Sequence, residues 1–212
     1  MSDDCCETID TAALHREQKR ALTLVLGINV TTFLMMVVAS IVSGSSTLLS
    51  GALDNFGDAA TYALSFAVVG ATSVAKARVA FFKGLMILGA ALAVAGQIGW
   101  RVLHPDTPIV ETMSVAAILN LGANLVCLRV LMPYRSGDLN MASAWECSRN
   151  DVFEGVAVIL TAAAVWAFES GWPDLIGATA LLILFVGSAA RVLGAAWRGL
   201  AAQPVRSASN SP

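Results

Sequence analysis

Leu48-Leu49-Ser50-Gly51-Ala52-Leu53-Asp54-Asn55-Phe56-Gly57-Asp58-Ala59 is an apolar run carrying two carboxylates four residues apart. In a soluble helix such acids would mark a solvated face, and the rest of the chain decides against that reading. Of 212 residues, 57% are hydrophobic and 13% charged, and the mean hydropathy is +0.71, whereas a soluble domain carries about 25% charged residues. A helix crosses a bilayer with roughly 20 mostly apolar residues. Segments of that kind lie at about 21–42, 48–71, 79–100, 113–132, 140–168 and 172–196. Short punctuated breaks separate them: Ser43-Gly44-Ser45-Ser46, His104-Pro105-Asp106-Thr107-Pro108, Pro133 through Gly137, and Gly171-Trp172-Pro173. The expected fold is all-α, a polytopic membrane protein with six transmembrane helices. Residues 20–198 form that domain, with a cytoplasmic N-terminal tail over 1–19 and a disordered cytoplasmic C-terminal tail over 199–212.

Lysine and arginine set the orientation, because basic loops stay in the cytoplasm. Arg16, Lys19 and Arg20 precede the first span, Lys76, Arg78 and Lys83 follow the second, Arg129 and Arg135 follow the fourth, and Arg191, Arg198 and Arg206 follow the sixth. The opposite loops hold Arg101 among Asp106, Glu111, Glu169 and Asp174. Both termini are expected in the cytoplasm and the protein in the cell (inner) membrane. A formal net charge of -2 argues against a nucleic-acid partner, which calls for a basic face. The start, Met1-Ser2-Asp3-Asp4-Cys5-Cys6-Glu7, is acidic where a secretory signal is basic, so the first helix is expected to stay as an anchor. The four cysteines follow no disulfide spacing. Cys5 and Cys6, amid acids, could capture soft metal near the cytoplasmic mouth.

Ionisable groups inside a bilayer cost several kcal/mol and mark substrate paths or proton relays. Asp54 and Asp58 fall on one helix face, about 6 Å apart, and such a pair can pinch a divalent cation or share a proton. In the fifth span, Trp145-Glu146-Cys147-Ser148-Arg149-Asn150-Asp151-Val152-Phe153-Glu154 places Cys147, Asp151 and Glu154 at i, i+4 and i+7, again on one face. Thiolate beside carboxylate suits zinc, cadmium or cobalt better than magnesium or calcium. If the second and fifth helices pack together, Asp54, Asp58, Cys147 and Asp151 supply four-coordinate binding near mid-membrane. Glu146 and Glu154 taken singly also fit helix caps or interfacial groups, and Arg149 either neutralises an acid or reaches toward the cytoplasm. Asn29, Gln97, Asn120 and Asn124 suit helix-to-helix hydrogen bonding better than a path. Gly84, Gly89, Gly96 and Gly187 read as close-packing surfaces.

The run Ser43-Gly44-Ser45 followed by Leu48 through Asp58 resembles the second-helix signature of the cation diffusion facilitators. Cys147-Ser148-Arg149-Asn150-Asp151-Val152 with Gly171-Trp172-Pro173-Asp174-Leu175-Ile176 is similar to that family's fifth and sixth helices. The resemblance implies a secondary transporter, not an enzyme, that acts as a homodimer and moves zinc or a related ion out of the cytoplasm against proton entry. The ion, Zn2+ with Cd2+ or Co2+ as alternatives, is substrate, and no organic cofactor is expected. The family's site of two residues four apart in each of two helices maps onto Asp54, Asp58, Cys147 and Asp151. Cys147 stands where the common zinc pattern has histidine, and if it is no ligand, Asn150, Glu154 or water completes the shell. The short tail leaves no room for the soluble C-terminal domain of many members, so the chain resembles the shortened type. Two rival readings are a membrane metal-binding or sensory subunit without transport, and an intramembrane metal-dependent phosphotransferase. The latter lacks its upstream D-G-x-x-A-R run, the residues before Asp54 being Thr47-Leu48-Leu49-Ser50-Gly51-Ala52-Leu53.

Overall fold

In a computed structural model, which describes residues 7–67, 73–135 and 139–201, the chain forms six helices: α1 (Glu7–Ser43), α2 (Ser46–Ala67), α3 (Ser73–Leu103), α4 (Val110–Leu131), α5 (Leu139–Phe168) and α6 (Trp172–Ala201). The six expected spans are all present, and the fold is that of an all-α polytopic membrane protein. A 3-10 turn, Met132–Tyr134, ends α4 at Pro133. α1 starts well before the expected tail boundary. Cys5, Cys6 and the C-terminal residues from 202 on lie outside the described residues.

Among the described residues, four stretches are long and apolar enough to cross a bilayer, Arg16–Ser43, Gly84–Leu103, Val110–Tyr134 and Cys147–Phe168, with a shorter apolar stretch at Trp172–Gly187. α2 falls short because serine, threonine, asparagine and aspartate interrupt it. Packing explains how it is tolerated, since α2 touches every other helix. α1, α4 and α5 gather around it, and the closely paired α3 and α6 close its other side. Large apolar side chains point outward from the remaining helices, among them Leu34, Ile41, Leu119, Leu160 and Ile183. Such a belt suits lipid, and in water it would be an aggregation surface. Exposed Trp100, Trp166 and Trp172 lie near the ends of α3 and α5 and the start of α6, on one side of the membrane, where interfacial tryptophans gather.

Three apolar clusters pack around α2, one of them against α3 and α6 and the other two flanking its charged turns. Met36 and Ala39 of α1, Leu48 and Ala52 of α2, Met113 and Ala117 of α4, and Val158, Ala162 and Val165 of α5 form one, in the half away from the α1 N-terminus. Val25, Tyr62, Cys127, Leu131 and Ala144 form the other, in the half near it. Between them lie the charged turns of α2 and α5.

The glycines that permit close packing differ from the expected set. Gly84 does abut Leu193 of α6, but a Cβ at Gly89 or Gly96 would meet open space, so the structure does not make packing surfaces of these two. The tight approaches occur at Gly57 under Phe185, Gly155 under Leu121, and Gly177 between Thr161 and Thr47. Periodicity within one helix does not reveal which glycine faces a neighbour. Gly44 has φ 72° and donates to the Ser40 carbonyl at 2.8 Å, a left-handed cap that ends α1.

Candidate metal site

α2 and α5 pack together, which was the condition for a shared site. Asp54, Asp58 and Tyr62 follow one another at single-turn intervals along α2. Asp58 and Asp151 are 8% and 4% exposed, and Asp54, Cys147 and Glu154 are half-buried. Across the helix pair, Asp54, Asp58 and Cys147 all lie within electrostatic reach of Asp151. Glu154 in turn lies within reach of Asp54 and Asp58. The four expected ligands therefore share one neighbourhood, with Glu154 at its margin. Asn150 is exposed on another face of α5, so it is poorly placed to complete a shell. The Glu146 side chain lies outside what is described. Among the described residues, no three His, Cys, Asp or Glu side chains converge closely enough to grip one ion together.

Neighbouring groups hold this cluster from three directions. The Tyr62 hydroxyl donates to Asp58 Oδ2 at 3.2 Å and lies 3.5 Å from the Ala144 carbonyl of α5. Asn55 Nδ2 donates to Asn120 Oδ1 of α4 at 2.8 Å, and Asn124 Nδ2 donates to the Asp151 carbonyl at 3.4 Å. The amides of α4 thus brace both charged helices, which is the helix-to-helix role expected for Asn120 and Asn124. The Asn29 side chain donates to the Val25 carbonyl of its own helix. Arg149 neutralises no acid among the described residues; its guanidinium lies over the Trp145 ring, 5.3 Å from the centroid. Among the described residues, Cys127 and Cys147 form no disulfide. Tyr62 was legible as the next residue on the Asp54–Asp58 face. Sequence reasoning passed over it because one phenol in an apolar helix looks like core.

The far end of α2 is built differently. The Asp174 carboxylate, at the start of α6, accepts from Ser45 Oγ at 2.5 Å, from the Ser46 N–H at 2.7 Å and from the Thr47 N–H at 3.1 Å. Thr47 Oγ1 donates to the Asp174 carbonyl at 2.6 Å. A side chain from α6 thereby caps the N-terminus of α2, satisfying N–H groups that no carbonyl of α2 can reach. Arg101 donates to the Gly44 carbonyl and lies 3.7 Å from Asp106. Asp174 was expected among the acids of an open loop. Instead it is 2% exposed, and its partners, about 128 residues away in sequence, left no local signal.

Residues 22–200 match the family described as the cation efflux transmembrane domain. The chain is 27% identical over 177 residues to the metal cation efflux system protein CzcD of Cupriavidus metallidurans, and equally so to the cation efflux system protein CzcD of an Alcaligenes species; each match covers 78% of this chain and 55% of the relative. The chain therefore spans about half the length of these relatives. Six helices, a charged pair of helices at the centre of the bundle and a family match running from α1 to α6 agree, and the chain belongs to the cation efflux family, whose members are transporters rather than enzymes.

Proposed function

We propose that the protein exports a divalent transition-metal ion from the cytoplasm in exchange for protons, with zinc as the principal substrate and cadmium or cobalt as alternatives. Asp54, Asp58, Cys147 and Asp151 are the proposed ligands, and Glu154 is an auxiliary acid on the same face. Both termini lie in the cytoplasm in this reading, the bilayer is the cell (inner) membrane, and the working unit is a homodimer. Residues 20–198 carry transport.

The observation behind this reading is that Asp54, Asp58, Cys147 and Asp151 share one neighbourhood where α2 packs against α5. Acids gathered inside a bilayer are neutralised either by protons or by a cation. A metal ion binds carboxylate oxygens only once their protons have left, so the two cargoes exclude each other. The apolar layers on either side of the cluster fit a form closed at both ends. Opening one layer at a time gives alternating access, with protons from the outer side displacing the ion.

Flux of zinc and cadmium into proteoliposomes under an imposed proton gradient tests this reading. It requires flux that follows the gradient and disappears in both Asp54→Ala and Asp151→Ala. Saturable binding without flux would instead identify a metal-holding membrane subunit.

A further inference from the structure

α1 and α4 leave between them a groove of about 840 Å³, lined by Lys19, Arg20, Leu24, Gly27, Ile28 and Ala123, with Thr23, Thr31 and Thr32 beside them. The threonines make it less polar than their names suggest. Thr23, Thr31 and Thr32 each donate back to a carbonyl of α1, at Lys19, Gly27 and Ile28, so their hydroxyl protons are used within the helix. The groove consequently offers hydrocarbon along its length and cations at one end. Its floor is open at Gly27, where a Cβ would meet nothing within 4 Å.

Depth and charge together select an occupant. From Arg20 to Thr31 the α1 axis rises about 16 Å, close to half of the roughly 30 Å hydrocarbon core. The groove thus runs from the membrane surface to mid-bilayer, the reach of one acyl chain. At its mouth, among the described residues, neither Lys19 nor Arg20 is ion-paired, and both are exposed. Basic residues at the rim of a groove between transmembrane helices complement a phosphate headgroup. A volume of this order is typical of sites that hold small apolar ligands. The groove holds no carboxylate, thiol or imidazole to bind a metal ion.

We infer that this groove is a binding site for one anionic phospholipid, its acyl chain lying along Leu24, Gly27 and Ile28 and its phosphate held by Lys19 and Arg20. The site is separate from the carboxylate cluster and does not depend on which ion the protein carries.

The test is native mass spectrometry of the full chain in detergent, titrated with dioleoyl phosphatidylglycerol or dioleoyl phosphatidylcholine. One phosphatidylglycerol should be retained per protomer, in severalfold preference to phosphatidylcholine. Lys19→Gln with Arg20→Gln should erase the preference while leaving some retention of both lipids. Gly27→Leu, which fills the floor, should abolish retention of both without changing the helical circular dichroism. Equal retention of both lipids by the native chain, or retention untouched by all three substitutions, would overturn the inference. So would efficient disulfide cross-linking between protomers at Thr31→Cys, because a second copy of the chain would then occupy the groove.

Discussion

Two regions of this molecule bury aspartates, and they treat them in opposite ways. Asp174 meets three donors and the positive ends of two helices. Every contact holds the carboxylate in one place, and a group so occupied is poorly placed to take up a travelling ion. Asp54, Asp58 and Asp151 face one another instead, with Cys147 and Glu154 nearby and Tyr62 as a donor to Asp58. Such a cluster concentrates acidic groups whose charge a proton or a metal can offset. Burial of an acid in a membrane protein is therefore an incomplete sign of function, and the donors around it separate a fastener from a site.

That contrast breaks most visibly under substitution. Asp151→Ala should abolish metal flux, with metal affinity falling by more than about 100-fold, since even loss of a residue that merely supports a ligand costs 10–100-fold; isothermal titration with zinc in detergent measures it. Asp174→Ala should act on stability instead. Losing the cap and leaving N–H groups unmet should cost about 2 to 4 kcal/mol, read as a lower thermal midpoint, with the zinc Kd of the folded fraction unchanged. Should Asp174→Ala weaken zinc binding as strongly as Asp151→Ala, the division between fastener and site would fail. Cys147→Ser should lower cadmium affinity roughly tenfold relative to zinc, because a thiolate favours the softer ion; competition binding gives that ratio. Asn55→Leu removes the bond to Asn120 and should cost about 1 kcal/mol of stability, with flux retained.

Reading the sequence reaches those parts of the site that repeat along a helix. The four-residue spacing of Asp54 and Asp58, and of Cys147 and Asp151, is a local geometric fact, so their shared faces followed from sequence order alone. Six helices followed in the same way from apolar length, although α2 was legible only by its position between stronger spans. What escaped depends on partners distant in sequence. Nothing near Asp174 announces Ser45 or Thr47, and nothing near Gly89 or Gly57 tells which of them a neighbouring helix approaches. The exposure of Asn150 was out of reach too, because two adjacent residues on a helix point about 100° apart and only the packed bundle says which of them faces inward.

The polar character of α2 also constrains how the protein is made. A centrally placed aspartate costs about 2.5–3.5 kcal/mol when a helix is handed to lipid at the translocon, and α2 carries two, so it is a poor candidate for inserting alone. Two of the acids that it faces or is capped by, Asp151 and Asp174, belong to α5 and α6 and emerge from the ribosome roughly a hundred residues later. Until then the nascent helix has α1, α3 and, afterwards, α4 to shelter beside. Chains halted after α4 should therefore leave α2 outside the bilayer in a glycosylation-mapping assay, whereas chains extended through α6 should hold it across. The residues that serve transport in the finished molecule thus make its assembly wait for the last helix.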